Sequence, residues 1–293
     1  MREECVATKS QRNITGFVMR LFVLAFFFSL AISINAPASA QNSLLLQAIK
    51  SDIGKTAEMI RKEHNGITYI ALPAPKHKKF DVPIVDGPTA MATLIKAMDM
   101  LEGKKSFTSS QINKLKRHGH ITIVYDPRYP DKRASMSSVQ VALFSPHFFG
   151  RVESRMKGRN FLVIVSRHGI KWPLKEMAAV MVHELVGHGI QHLNNRWNKM
   201  RLIDMECEAW LYEEMAYQDM GIDKFSKEMI TFKKQLAQQC DGFLRHLRNK
   251  NPAGNALWEK LNPVVPKLLV HFHKYLKNIK KKSRLGLPVS TSG

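Results

Sequence analysis

Acidic side chains are scarce in this chain of 293 residues: 24 Asp and Glu stand against 45 Lys and Arg, for a formal net charge of +21. Such a field favours acidic partners and speeds association with them. No basic motif interleaved with aromatics accompanies it, so nucleic acid is not an expected partner. Cysteine is also sparse, at three residues. One of them, Cys5, lies in the first forty residues, which leaves Cys207 and Cys240 and at most one intramolecular disulfide. No internal repeat and no long low-complexity linker is evident, so the chain is one domain or two small ones, with ample length for a core. The one long apolar run, residues 21–34, has fourteen residues, too few for a comfortable membrane span.

That run follows a basic segment and precedes Ala38-Ser39-Ala40, a small-x-small cleavage signal. Residues 1–40 therefore read as a secretory signal peptide, cleaved near Ala40, with export to the periplasm or the medium. The rival is an uncleaved membrane anchor over residues 21–34. Cleavage removes four positive and two negative charges and leaves +19 on residues 41–293. An exported chain with Cys207 and Cys240 is a case for one disulfide, and two buried thiols are the alternative.

The most informative stretch is His183-Glu184-Leu185-Val186-Gly187-His188, with Glu206 downstream. Imidazole and carboxylate are good zinc ligands, and a catalytic zinc takes three protein ligands and leaves a position for water. A neighbouring carboxylate can take that water's proton. The two histidines are five apart, not four. At about 100° per residue a regular helix sets them roughly 140° apart, so aiming both at one ion requires an extra residue accommodated as a π-bulge, a device that favours functional sites. Glu184, His188 and His192 are spaced by four and share a regular helix face, which offers a second metal reading that omits His183.

The hexad resembles the HExxxH motif of the dipeptidyl peptidase III family, whose seven-residue form HELLGHG is matched here by HELVGHG ending at Gly189. That family takes its third ligand from the first Glu of a Glu-Cys-x-Ala segment, matched by Glu206-Cys207-Glu208-Ala209. The resemblance, which covers about thirty residues, implies a zincin of gluzincin type with one Zn2+ on His183, His188 and Glu206 and with Glu184 as general base. The short spacing from His188 to Glu206 is closer to the thermolysin-like gluzincins; the place of their outer-shell Asp holds Trp210 here. Glu208 lies in the same turn as Glu206, and either displaces it as ligand or orients an imidazole. His192 is a surface or outer residue one turn beyond the site, and Gln191 an edge residue. Tyr212, Tyr217 and His246 are candidate donors to an oxyanion.

Apolar periodicity predicts the metal-bearing helix from Pro173 to Asn194, a second from Ile203 to Met220, and a third from Asp223 to Arg248 with Phe225 on its apolar face. Earlier helices are expected over Asn42 to Glu63 and Pro88 to Leu101. Strands are expected at Ile67 to Leu72, Ile121 to Tyr125, Val139 to Phe144 and Phe161 to Val165, the last as the edge that pairs with a substrate backbone. The class is α+β, a small sheet followed by helices. Residues 41–170 form the α+β part and 171–293 the helical, metal-bearing part. The basic end of the chain, with Leu269, Phe272, Leu276 and Ile279 on one side, suits an anionic envelope surface or a plain solvated helix. These expectations converge on an exported zinc hydrolase acting on peptide bonds. A non-catalytic binding protein on a zincin scaffold and a basic envelope- or polyanion-binding protein are the alternatives.

Overall fold

A computed structural model describes residues 59–76, 78–103, 105–130, 141–145, 159–197 and 199–284. The expected signal peptide and its rival anchor segment, most of the helix expected from Asn42, and residues 285–293 lie outside the described residues. The class is α+β as expected: a five-stranded mixed sheet with helices packed on it.

The chain enters through β1 (Ile60–His64) and β2 (Ile67–Ala71), an antiparallel hairpin. The connecting Asn65 and Gly66 both have positive φ, 48° and 70°, which suits a primed hairpin turn and its twist. The expectation of helix as far as Glu63 is therefore wrong. The Asn-Gly pair and cross-strand pairing dictate a strand, and its charged, exposed residues Arg61, Lys62 and Glu63 guard a sheet edge.

Helices α1 (Gly87–Glu102) and α2 (Phe107–His118) then cross over to β3 (Gly119–Asp126). Asp86 caps α1 through the Thr89 N–H, and Ser106 and Ser109 form a reciprocal capping box on α2. Helix α2 carries too few apolar residues for its period to be read from sequence. Beyond lie β4 (Ala142–Phe144) and β5 (Arg159–Ser166). The spatial order is β1-β2-β3-β5-β4, with β2, β3 and β5 mutually parallel and β4 antiparallel to β5. Phe161 to Val165 is thus an interior strand, completely buried, and among the described residues β4 is the edge. Interior strands are covered on both faces, which is why β3 and β5 read as continuous apolar runs. Ile121, Ile123, Tyr125, Phe161, Val163 and Val165 join the main core with the helices, and Val124, Leu162 and Ile164 form a second cluster on the other face.

The helical part begins with a three-part rod: α3 (Leu174–Met181), a π-helical segment (Val182–His188) and α4 (Gly189–Leu193). Helix α5 (Leu202–Asp219) lies against it. The helix expected from Asp223 to Arg248 breaks at Cys240 into α6 (Lys227–Gln239) and α7 (Asp241–Lys250). Phe225 precedes it and is 70% exposed, not on an apolar face. Helix α8 (Pro252–Trp258) leads to α9 (Val265–Arg284). Val265, Leu268, Leu269, Phe272 and Tyr275 of α9 are buried in the main core, with Leu276 and Ile279 packed on it. The apolar side of α9 is therefore committed to the protein and is not available to a membrane. The sheet and the helical part share one core, so residues 41–170 and 171–293 are not separate folding units where they are described.

Cys207 of α5 and Cys240 are disulfide-bonded across 33 residues. Loop-closure entropy of that size stabilises by about 3–4 kcal/mol. Replacing both cysteines by serine is expected to lower unfolding free energy by about that amount in urea titrations.

Buried Arg167 makes a two-pronged pair with Asp81 (Nε to Oδ1 2.7 Å, Nη2 to Oδ2 3.2 Å). That contact holds the Asp81 carboxyl down at about 2 against the opposing effect of burial. Its stabilisation is complete above the ordinary carboxylate range and is lost as pH falls through about 2. The stability gap between the wild type and Asp81→Asn should therefore close progressively on acidification below about pH 4.

Candidate metal centre

The π-segment solves the spacing problem. Its i→i+5 bonding returns to one side after five residues, so His183 and His188 both face α5. Their ring centroids are 5.1 Å apart at an interplanar angle of 81°. Glu206, in the first turns of α5, completes the set. Its Oε2 is 3.3 Å from His183 Nε2 and its Oε1 is 3.7 Å from His188 Nε2. One donor atom from each residue falls within a span of 4.8 Å. Zinc bonds of about 2.1 Å in a tetrahedron separate ligand atoms by roughly 3.4 Å, so the set fits one ion with little movement.

Close helix packing makes this convergence possible. A Cβ built on Gly187 would stand 2.6 Å from Ala209 Cα and 2.7 Å from its Cβ. Glycine is needed there because the α5 backbone passes at that point.

The two imidazoles are oriented from behind. Gln191, fully buried, donates from Nε2 to the Met205 carbonyl at 2.7 Å, which turns its Oε1 to His188 Nδ1 at 3.0 Å. An amide oxygen only accepts, so His188 Nδ1 carries a proton and Nε2 is the nitrogen turned to the centre. Gln191 is thus a structural bridge, not an edge residue. His183 Nδ1 lies 3.1 Å from Glu213 Oε2. Burial disfavours charge on His183, but contacts with Glu206 and Glu213 outweigh it and raise its pKa well above the usual value. Burial also raises Glu213, and the nearby carboxylates Glu184 and Glu206 add to the effect. Burial opposes ionisation of Glu206 as well, yet the two histidines hold its pKa down. Three carboxylates around two imidazoles make a pocket that attracts positive charge.

Glu184 stands beside the set, with Oε2 4.0 Å from His188 Nε2. The same oxygen accepts from the Phe144 N–H at 2.8 Å. In β4 the odd residues bond to β5, as Ser145 N–H does to the Leu162 carbonyl, so the Phe144 N–H points away from the sheet and pins one oxygen of Glu184.

The other candidate residues are elsewhere. Glu208 is neither ligand nor orienter. Wholly buried, it takes a bidentate pair from Arg196 (2.5 and 2.6 Å) and a bond from His273 (2.8 Å). His273 and Arg196 lower its pKa against the larger opposing effect of burial. His192 packs its ring 6.0 Å from those of Phe144 and Phe161, so the four-spaced set of Glu184, His188 and His192 is not assembled. Tyr212 is stacked on Phe107, Tyr217 packs on Phe232, and His246 lies 5.2 Å from the Tyr275 ring. All three expected oxyanion donors are therefore engaged away from the centre. Glu213 escaped sequence reasoning, although it lies two helical turns after Glu206 and shares its face.

No protein-family model, no curated protein and no solved structure matches this chain.

Gly187→Ala is expected to separate α5 from the π-segment and weaken zinc binding in chelator competition. Because the closest obstruction is Ala209 Cα, adding Ala209→Gly should not restore affinity. Glu213→Ala should weaken zinc binding by about 10- to 100-fold, and Glu213→Gln, which preserves an acceptor oxygen, should lose less.

Proposed function

We propose that this chain is an exported zinc-dependent hydrolase of peptide bonds, with a gluzincin-like centre on His183, His188 and Glu206. The observation that carries this reading is the convergence of those three donors within 4.8 Å, with Glu184 anchored alongside. Zinc held there supplies a water of lowered pKa and polarises a carbonyl oxygen. Glu184, oriented by the Phe144 N–H, would take the proton of the attacking water and deliver it to the leaving amine. Gln191 and Glu213 keep the two imidazoles in the tautomer and orientation that ligation needs.

The disulfide and the signal-like residues 1–40 support export. Among the described residues no helix is long and apolar enough to cross a membrane. The lysines of α9 leave an anionic envelope surface as a partner through charge alone. One observation favours the second reading, a zincin scaffold that binds without turnover: Tyr212, Tyr217 and His246 are all engaged away from the centre.

Elemental analysis of the purified chain should give about one zinc per molecule. Glu184→Gln should retain that zinc and lose peptide hydrolysis by about 100- to 10,000-fold. Zinc at full occupancy with no cleavage of any peptide by the wild type would favour the scaffold reading. Absence of stoichiometric metal, with salt-sensitive binding to acidic polymer, would favour the polyanion-binding reading and sink both others.

A further inference from the structure

The last turns of α5 border a cavity that takes no part in the metal centre. Gly221 ends the helix with a positive φ of 67°. Its N–H donates to the Gln218 carbonyl, and the Ile222 N–H donates to the Tyr217 carbonyl. These are the paired bonds of a Schellman turn. The chain therefore folds back across the helix end, and α6 packs against α5. Gln218 Nε2 ties in the segment before α9 through the Pro263 carbonyl at 3.1 Å. A cavity of about 200 Å³ is left where these segments meet. It has room for roughly six waters at about 30 Å³ each.

Glu214 forms part of the cavity wall and is 1% exposed. Its Oε1 accepts from Gln218 Nε2 at 2.8 Å, while its buried Oε2 has no protein partner. Burial raises the Glu214 pKa and Glu213 adds to the effect, against the Gln218 bond and the charges of Lys233 and Lys224. Neither lysine forms an ion pair with it. Lys233 donates to the Leu261 carbonyl at 2.6 Å, and Lys224 lies half-buried along the cavity wall. A buried carboxyl oxygen left without a partner is costly and calls for one. Tyr217, Ile222 and Met229 make much of the remaining wall apolar. An acid and a base thus border one small cavity without pairing across it. A molecule with an ammonium and a carboxylate on a short aliphatic frame answers both, through charge-assisted hydrogen bonds.

We propose that this cavity binds a small aliphatic α-amino acid, with its ammonium on Glu214 and its carboxylate on Lys224. The site stands or falls independently of the zinc reading. Calorimetric titration of the full chain with L-valine tests it, beside isovalerate and isobutylamine, which keep the side chain but lack the ammonium or the carboxylate. L-Valine should bind. Isovalerate should bind about 10- to 100-fold more weakly, and isobutylamine about 3- to 5-fold more weakly, because Lys224 is partly open to solvent. Glu214→Gln, which keeps the shape of the side chain, should remove the advantage of L-valine over isovalerate. Lys224→Met should remove its advantage over isobutylamine. Circular dichroism establishes that each variant is folded; if Glu214→Gln is not, Lys224→Met decides. Absence of L-valine binding overturns the site. So does isobutylamine binding as tightly as L-valine, which would mark a site for a cation alone. An amino acid held elsewhere, on zinc included, would keep its affinity in both variants, and that result also overturns the site.

Discussion

The backbone of α5 crosses the π-segment at Gly187, where a single added carbon would collide with Ala209, and the centre depends on that contact. A side chain at 187 would push α5 outward and carry Glu206 with it. The π-segment by itself brings two imidazoles together; the contact at Gly187 supplies the third donor. Glu206 and Glu213 lie on one side of α5, so the same approach delivers both a ligand and the support of the opposite imidazole. Packing density and the convergence of His183, His188 and Glu206 thus depend on the same few atoms. The Cys207–Cys240 bond, one residue from Glu206, reinforces α5 on its far side.

Electrostatics point the same way. Glu184, Glu206 and Glu213 surround His183 and His188 in a largely buried setting, within a protein whose net charge is +21. Uncompensated charge of that kind is costly in a protein interior. A divalent cation at His183, His188 and Glu206 would offset it. Glu208, two residues from Glu206, shows the other solution: it is buried as deeply and answered by Arg196 and His273. The two neighbouring carboxylates have different roles because one faces the π-segment and the other faces α9.

Much of this was legible in the sequence. The five-residue offset of His183 and His188 excludes a regular helix as a holder for both, so a π-segment followed from geometry before any coordinates. Glu206 was legible through a resemblance covering a short stretch, and Glu208 one turn-mate away was not separable from it by pattern. Glu213 and Gln191 were missed as orienting groups because their roles depend on which faces of two helices meet, information that no single helix carries. The sheet was visible where strands are buried on both sides. It was misread at one margin: β1 is charged and exposed and shows no apolar run, whereas the run expected over Val139 to Phe144 contains β4. Edge position is a property of neighbours, which is why β5 was mistaken for the strand that lies beside it. Cys240 ends α6 by turning the chain toward its disulfide partner, a tertiary cause that helical periodicity does not report.

The bonds from His273 to Glu208 and from Tyr275 to Asp204 and Arg201 fasten the first turns of α5 to a helix near the far end of the chain. During synthesis the segment holding Glu206 emerges well before its fastening does, so the nascent chain carries His183 and His188 while Glu206 is still unanchored.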